Sequence, residues 1–229
     1  LEKEGVIMAI KAITIDFYGT LVRDNNGLVR EICRRVSQSA VKMIVSPAEV
    51  GMAWWRSVEE MMKSGDFYDS KTLEKTAIEN VVKEFNSAED PDALFEEFLE
   101  SLKKPIIYED TQVFLDRIPV DFAIIENMDK DILEDAICYN QIDTENIIAS
   151  DEVKAYKPSP EIFKAAAVKL GLKPEEILHA GSSMKYDIAP AKKLGMKTCW
   201  LNRQKKPKNS NVKPDLECSS LFDLRMMIK

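Results

Sequence analysis

The sequence is poor in the residues that build metal centres. It has one histidine, His179, and four cysteines, Cys33, Cys138, Cys199 and Cys218, scattered without a CxxC spacing. A single histidine excludes a multi-histidine site. The scattered thiols read as reduced, mostly packed side chains, not as a zinc site or a disulfide frame. Positive charge is also in the minority: 32 Lys and Arg face 39 Asp and Glu, a net charge of −7. That balance argues against nucleic acid or an anionic membrane as partner. No apolar run approaches the ~20 residues that span a bilayer. The opening Leu1-Glu2-Lys3-Glu4 is charged and has no signal-peptide core, so Met8 stands as a candidate native start and the cytoplasm as the expected compartment. What remains is ordinary for a globular chain: 229 residues, 45% hydrophobic and 31% charged, enough for one large domain or a domain with an insert.

One stretch stands out from this composition. Ile10 to Val22 reads IKAITIDFYGTLV, a β-branched run about as long as a strand buried on both faces, ended by Asp16 and followed at once by Phe17-Tyr18-Gly19-Thr20. A carboxylate at the carboxyl end of a buried parallel strand sits where open α/β sheets bind ligands. Gly19 permits a sharp turn, and Thr20 brings a hydroxyl beside the carboxylate. Taken alone, Asp16 would read as a cap on that turn. The rest of the chain argues otherwise.

From Leu28 to about Leu102 the pattern is helical, with almost no strand signal. Val29, Ile32, Cys33 and Val36 recur at helical spacing, as do Trp54, Val58, Met61 and Met62. Ser46-Pro47-Ala48-Glu49 is a helix start, and Leu73–Phe85 and Pro91–Leu102 are two further helices separated at Asn86-Ser87. A helical block inserted straight after the first strand reads as a lid over the active end of a sheet. From Pro105 strands and helices alternate: Val120–Ile125, Ile147–Ala149, Ile177–Ala180 and Lys197–Leu201 read as strands. Lys130–Cys138, Pro160–Leu170 and Ile188–Leu194 read as helices, and Gly171 and Gly195 fall where helix ends turn left-handed. Such alternation means a parallel sheet with helices on both faces. Arg203–Pro214 reads as a surface loop without function.

The later strands end in polar groups. Phe122–Ile125 runs into Glu126-Asn127, the strand at Ile147 leads to Lys157-Pro158, and Ile177–Ala180 ends in Gly181-Ser182-Ser183 with Asp187 close behind. In a doubly wound sheet these ends meet in one crevice with Asp16 and Thr20. A nucleophilic carboxylate, a lysine and hydroxyl donors make a covalent-catalysis site. Each has a bland reading alone: Lys157 solvated, Ser182 a helix cap, Asp187 a helix-start charge. His179, inside a strand, reads as packed. Trp54 and Trp55 read as helix packing, and the methionines as helix-face filling.

These residues carry a resemblance. Asp16-Phe17-Tyr18-Gly19-Thr20-Leu21, Lys157-Pro158-Ser159-Pro160 and Gly181-Ser182-Ser183-Met184-Lys185-Tyr186-Asp187 resemble three of the four motifs of the haloacid dehalogenase superfamily, with Val120–Asp131 in the place of the other. The resemblance implies an α/β fold: a Rossmann-like parallel core of residues 8–24 and 105–229 with a helical cap at 25–104. It implies a nucleophile at Asp16, a lysine at Lys157 that neutralises charge around it, and orienting or water-positioning roles for Thr20, Ser182 and Asp187. Tyr18, Arg56, Glu126 and Asn127 are the implied substrate-binding residues.

Departures from the pattern bear on the reaction. Phosphatases of the superfamily carry a second aspartate two residues after the nucleophile; here that residue is Tyr18, as in the 2-haloacid dehalogenase branch. They also place a magnesium-binding aspartate where this chain has Ser182. Arg56, in Trp54-Trp55-Arg56, resembles the cap arginine that receives halide, although Met184 stands where that branch has an asparagine. Halide leaves without a proton, whereas an alkoxide usually needs an acid. Glu126 fits neither branch, for it replaces a Ser or Thr that bonds the substrate's anionic group. The expectation is therefore hydrolysis of a small molecule through an aspartyl-enzyme on Asp16, metal-free and dehalogenase-like, on a small 2-halo acid. The alternatives are a phosphatase with Mg2+ held by Asp16, Tyr18 and Asp187, and a degenerate binding protein with the same fold. The oligomeric state is left open.

Overall fold

The computed structural model describes residues 10–41, 44–207 and 211–228; Met8, and with it the start of the expected core segment, and part of the Arg203–Pro214 loop lie outside the described residues. Strands β1 (Ala12–Asp16), β2 (Asp121–Glu126), β3 (Ile147–Ala149), β4 (Ile177–Gly181), β5 (Lys197–Leu201) and β6 (Leu216–Cys218) form one sheet in the order β3-β2-β1-β4-β5-β6. Every neighbouring pair is parallel. This is the expected α/β, Rossmann-like architecture. β1 is buried along its whole length, as its β-branched run requires of a central strand covered on both faces. One face is filled by Ile162, Phe163, Ala166 and Ala167 of the helix Pro160–Leu170, packed on Ala123, Ile125, Ile148 and Ile177. That helix ends at Gly171 in the left-handed region (φ 65°), as its glycine indicates.

By internal contacts the chain divides into two units. The first comprises the described residues of Leu1–Arg23, Ile106–Lys130 and Asn140–Lys229, and the second comprises Asp24–Pro105 with Asp131–Tyr139. The second unit is helical: Asn26–Gln38, Pro47–Lys63, Ser70–Glu84 and Pro91–Lys103 pack through Ile32, Val36, Val50, Trp54, Leu73, Ile78, Leu94 and Phe98, all buried. Ser46 and Glu49 form a reciprocal capping box on the second of these helices. Trp54 packs on Phe98 and donates its indole N–H to Glu74 at 2.8 Å. Asp131–Tyr139 belongs with this unit, where Asp131 pairs with Lys71 (2.8 Å) and Asp135 with Lys103 (3.4 Å).

Four short elements have no clear sequence signal: β6 and the helices Thr111–Leu115, Ser150–Val153 and Leu221–Met227. Asp110 ties two of them together in the first unit. Its carboxylate takes two N–H bonds from Arg203, both 2.9 Å, and a third from the Leu221 backbone at 2.8 Å. Arg203 also stacks on Tyr108, 3.9 Å from the ring centroid, and donates to the Thr20 carbonyl at 2.9 Å. The residue read as part of a functionless loop therefore holds the backbone of Thr20.

Asp110→Ala leaves the Arg203 guanidinium without its carboxylate in a largely buried setting. The expected loss is about 3 kcal/mol of unfolding free energy, read as a lower urea midpoint with an unchanged slope. An unchanged midpoint would show that the pair is dispensable.

Candidate active site

The strand order reverses direction at β1, and the crevice beyond the carboxyl ends of the strands is where such sheets bind ligands. Asp16 ends β1, Glu126 ends β2 and Gly181 ends β4. The register sets Asp16 beside Ile125 and Ile15 beside Ala180, so the groups that follow each strand reach the same level.

Lys157 is the hub. It is 2% exposed, and its ammonium donates to Asp16 Oδ1, to Asp187 Oδ1 at 2.9 Å and to the Ile125 carbonyl at 3.3 Å. Its three protons are thereby used. Asp16 Oδ2 accepts from the Thr20 hydroxyl at 2.6 Å, with the Ser182 hydroxyl farther off at 3.4 Å. Asp187 Oδ2 accepts the Ser183 N–H at 2.8 Å. Asp16, Thr20, Lys157, Ser182 and Asp187 therefore stand together, as their positions after the strands imply.

One ammonium serving two buried carboxylates divides them. Burial, then the charge of Asp187, pushes the Asp16 carboxyl up to about 8 against the pull of Lys157, with Glu126 adding to the rise. Burial opposes ionisation of Asp187 as well, but Lys157 and then His179 hold it well below the usual carboxylate range. Lys157 loses by burial and gains more from Asp16, Asp187 and Glu126, so it stays charged far beyond neutral pH. The two acids titrate as a coupled pair, with Asp187 keeping the charge first.

Glu126, 6% exposed, points into the loop after Asp16. Its Oε2 accepts the backbone N–H groups of Phe17 (3.1 Å) and Tyr18 (3.0 Å), and its Oε1 accepts that of Asn127 (2.7 Å). Burial and then Glu126 hold the Tyr18 phenol well above its usual range. Asn127 clamps the lysine loop: its side chain accepts from the Lys157 N–H at 2.6 Å and donates to the Lys157 carbonyl at 3.0 Å. Asn127 is thus engaged in positioning Lys157.

Small residues let these groups approach. Gly19 adopts φ +82°, and a Cβ there would lie 3.1 Å from the Ser182 hydroxyl. A Cβ on Gly181 would lie 2.5 to 2.7 Å from the Asp187 side chain, so only glycine leaves that carboxylate where Lys157 meets it. His179 is fully buried, with Nδ1 2.9 Å from the Thr14 hydroxyl and Nε2 3.5 Å from Asp187. Burial keeps its imidazole below its usual pKa, as befits the packed histidine expected from its place in a strand. Trp200 donates its indole N–H to the Ser182 carbonyl at 3.0 Å. Neither Trp200 nor Arg203 stands in a motif, and no local signal marks either one.

Arg56 belongs to the helical unit, where it is exposed and paired with Glu84 through two bonds of 2.8 and 2.9 Å. The buried carboxylates of Asp16 and Asp187 are among the groups that a magnesium ion would meet here. The space between the Asp16 and Asp187 carboxylates is bridged by the Lys157 ammonium, and Ser182 offers a hydroxyl in place of a third carboxylate. Among the described residues no group of three His, Cys, Asp or Glu side chains is placed to hold a metal.

Comparison with known proteins accords with this geometry. Residues 10–195 match the family described as haloacid dehalogenase-like hydrolase. The chain belongs to that family. As a haloacid dehalogenase-like hydrolase it is an enzyme, and its relatives include dehalogenases and phosphatases. (S)-2-haloacid dehalogenase 4A of Burkholderia cepacia is 25% identical over 215 residues, 91% of this chain and 90% of that protein. A glyceraldehyde 3-phosphate phosphatase of Methanopyrus kandleri is 39% identical, but over 75 residues, 31% of this chain and 32% of that one. The structure of L-2-haloacid dehalogenase from Xanthobacter autotrophicus superposes with a TM-score of 0.75 at 19% identity, covering 95% of this chain and 98% of that one, a likeness of fold.

Asp187→Asn frees Lys157 for Asp16 alone and removes the second charge. The Asp16 carboxyl, followed by carbon-13 NMR and assigned by its absence in Asp16→Asn, is expected to titrate near pH 8 in the parent and at distinctly lower pH in Asp187→Asn. An unmoved titration would mean that burial and Glu126 raise Asp16 without help from Asp187.

Proposed function

We propose that this hydrolase works through a covalent ester on Asp16, without a metal, in the manner of a dehalogenase. A carboxylate oxygen of Asp16 attacks the carbon that bears the halogen, the carbon–oxygen bond forms and halide departs with the bonding pair. Water then adds to the ester carbonyl of Asp16, the bond between that carbonyl carbon and the ester oxygen breaks, and an alcohol leaves as the carboxylate returns. Overall, water and the organohalide give alcohol, halide and a proton. The reading rests on one observation above the others: Tyr18 and Ser182, which flank the nucleophile, bring a phenol and a hydroxyl in place of the acid and the metal-binding carboxylate of a phosphatase, while Lys157 compensates the charge of Asp16. Lys157 lowers the cost of the anionic carboxylate and of the charge that develops when water adds. Thr20 fixes the rotamer of Asp16 through its 2.6 Å bond, Asp187 aims Lys157, and Ser182 stands where water would approach. The extended similarity to (S)-2-haloacid dehalogenase 4A supports the same chemistry.

A second reading keeps the nucleophile and changes the leaving group. The shorter match, at higher identity, to a glyceraldehyde 3-phosphate phosphatase favours a magnesium-dependent phosphatase, with Asp16, the Tyr18 carbonyl and Asp187 as the residues it would need for the ion. On either reading the partner is a small molecule and not nucleic acid. We place the enzyme in the cytoplasm because none of its four cysteines is in a disulfide. Among the described residues no helix is long and apolar enough to cross a membrane.

Single turnover in oxygen-18 water is expected to label Asp16, seen by mass spectrometry of its peptide, while the first product carries unlabelled oxygen from the carboxylate. Asp16→Asn is expected to lose turnover by at least about 1,000-fold with its melting temperature kept. Label appearing directly in the product would rule out the ester. Phosphate release from an aryl phosphate that needs magnesium, stops with chelator and is lost in Asp16→Asn would select the second reading.

A further inference from the structure

The loop that follows Asp16 presents backbone N–H groups to the site, and they already hold an anion. Phe17 and Tyr18 both donate to Glu126 Oε2, at 3.1 and 3.0 Å, and Asn127 donates to Oε1 at 2.7 Å. Successive backbone N–H groups of this kind form a concavity suited to an oxyanion. It lies directly beside the nucleophile, since Phe17 and Tyr18 are the two residues after Asp16. A substrate with a carboxylate or phosphate next to its reacting atom would place that group here. The position is taken by the chain's own carboxylate, which is buried at the end of a central strand. If Glu126 withdrew, three N–H groups would lose their acceptor, and the carboxylate would need a new partner in a site whose ammonium is already committed to Asp16, Asp187 and the Ile125 carbonyl. An entering anion would also face the carboxylates of Glu126 and Asp187.

We propose that Glu126 is a specificity-determining residue: a built-in oxyanion that fills the backbone N–H cradle beside Asp16, excludes substrates with an anionic group at that place, and selects uncharged ones such as 2-halo amides. This rests on the dehalogenase reading for the leaving group, but not for the exclusion of anions, which is a property of binding. Removing the carboxylate opens the cradle and frees its donors. Glu126→Ser supplies space and a hydroxyl, and Glu126→Gln keeps the length while removing the charge.

Two measurements on the full chain test this. The first is calorimetric titration of the parent, Glu126→Ser and Glu126→Gln with inorganic phosphate and with 2-chloropropanoate, each protein checked by circular dichroism. Both anions are expected to bind Glu126→Ser at least about 100-fold more tightly than the parent, and Glu126→Gln to show a smaller gain. The second is halide release from 2-chloropropanamide and 2-chloropropanoate. The parent is expected to prefer the amide, and Glu126→Ser to shift the ratio of kcat/KM towards the acid. Parent protein that binds or turns over the acid as well as the amide overturns the proposal, as does anion affinity unchanged in both variants. A gain in anion binding without halide release from either compound leaves the exclusion by Glu126 standing and refutes the dehalogenase reading instead.

Discussion

The ammonium of Lys157 is the interaction on which the site depends. Three carboxylates, from Asp16, Glu126 and Asp187, are each about nine-tenths buried or more, and leaving such groups ionised without partners would be prohibitive. Lys157 answers two of them directly. The chain then fixes Lys157 from behind, through the two-way bond between its backbone and the Asn127 side chain. Around this hub each oxygen has a defined donor: Thr20 for Asp16, Ser183 for Asp187 and the strand-end N–H groups for Glu126. A site with its donors already oriented spends little reorganisation at the moment of reaction.

The uneven sharing of that one charge gives the two aspartates different characters. Asp187 is held as a permanent anion, whereas Asp16 lies close to the point where it gains or loses a proton near neutral pH. Two like residues are thus separated in function by their surroundings, and the division follows from distance and burial rather than from residue type. The third carboxylate takes no share of the lysine's hydrogen bonds. Its place is set by neutral N–H groups, which makes it a fixture of the pocket wall in the way a substrate group would be.

Much of this could be read from residue order. A β-branched run ended by Asp16, with Gly19 and Thr20 behind it, fixes a strand, its buried character and the polar group at its end. Lys157 before Pro158 and Gly181 before Ser182 mark the other two loops, because each follows a strand-like run at a point where a parallel sheet opens. The orientation of Glu126 could not be read: nothing in a linear pattern states which way the N–H groups of Phe17 and Tyr18 face. Arg203 and Trp200 act through the carbonyls of Thr20 and Ser182, contacts that join positions 183 and 18 residues apart and leave no local trace. β6 has three residues, too few to show a period. Asp131–Tyr139 joins the helical unit through Lys71 and Lys103, a choice made by partners distant in sequence.

The bond from Trp200 to the Ser182 carbonyl has an optical meaning. Indole emission responds to what its N–H donates to, and this indole is 2% exposed and tethered to the backbone of a residue that faces Asp16. The other two tryptophans, Trp54 and Trp55, reside in the helical unit. The chain therefore carries one native fluorophore wired to its nucleophile's surroundings, and events there can be followed by light without attaching a dye.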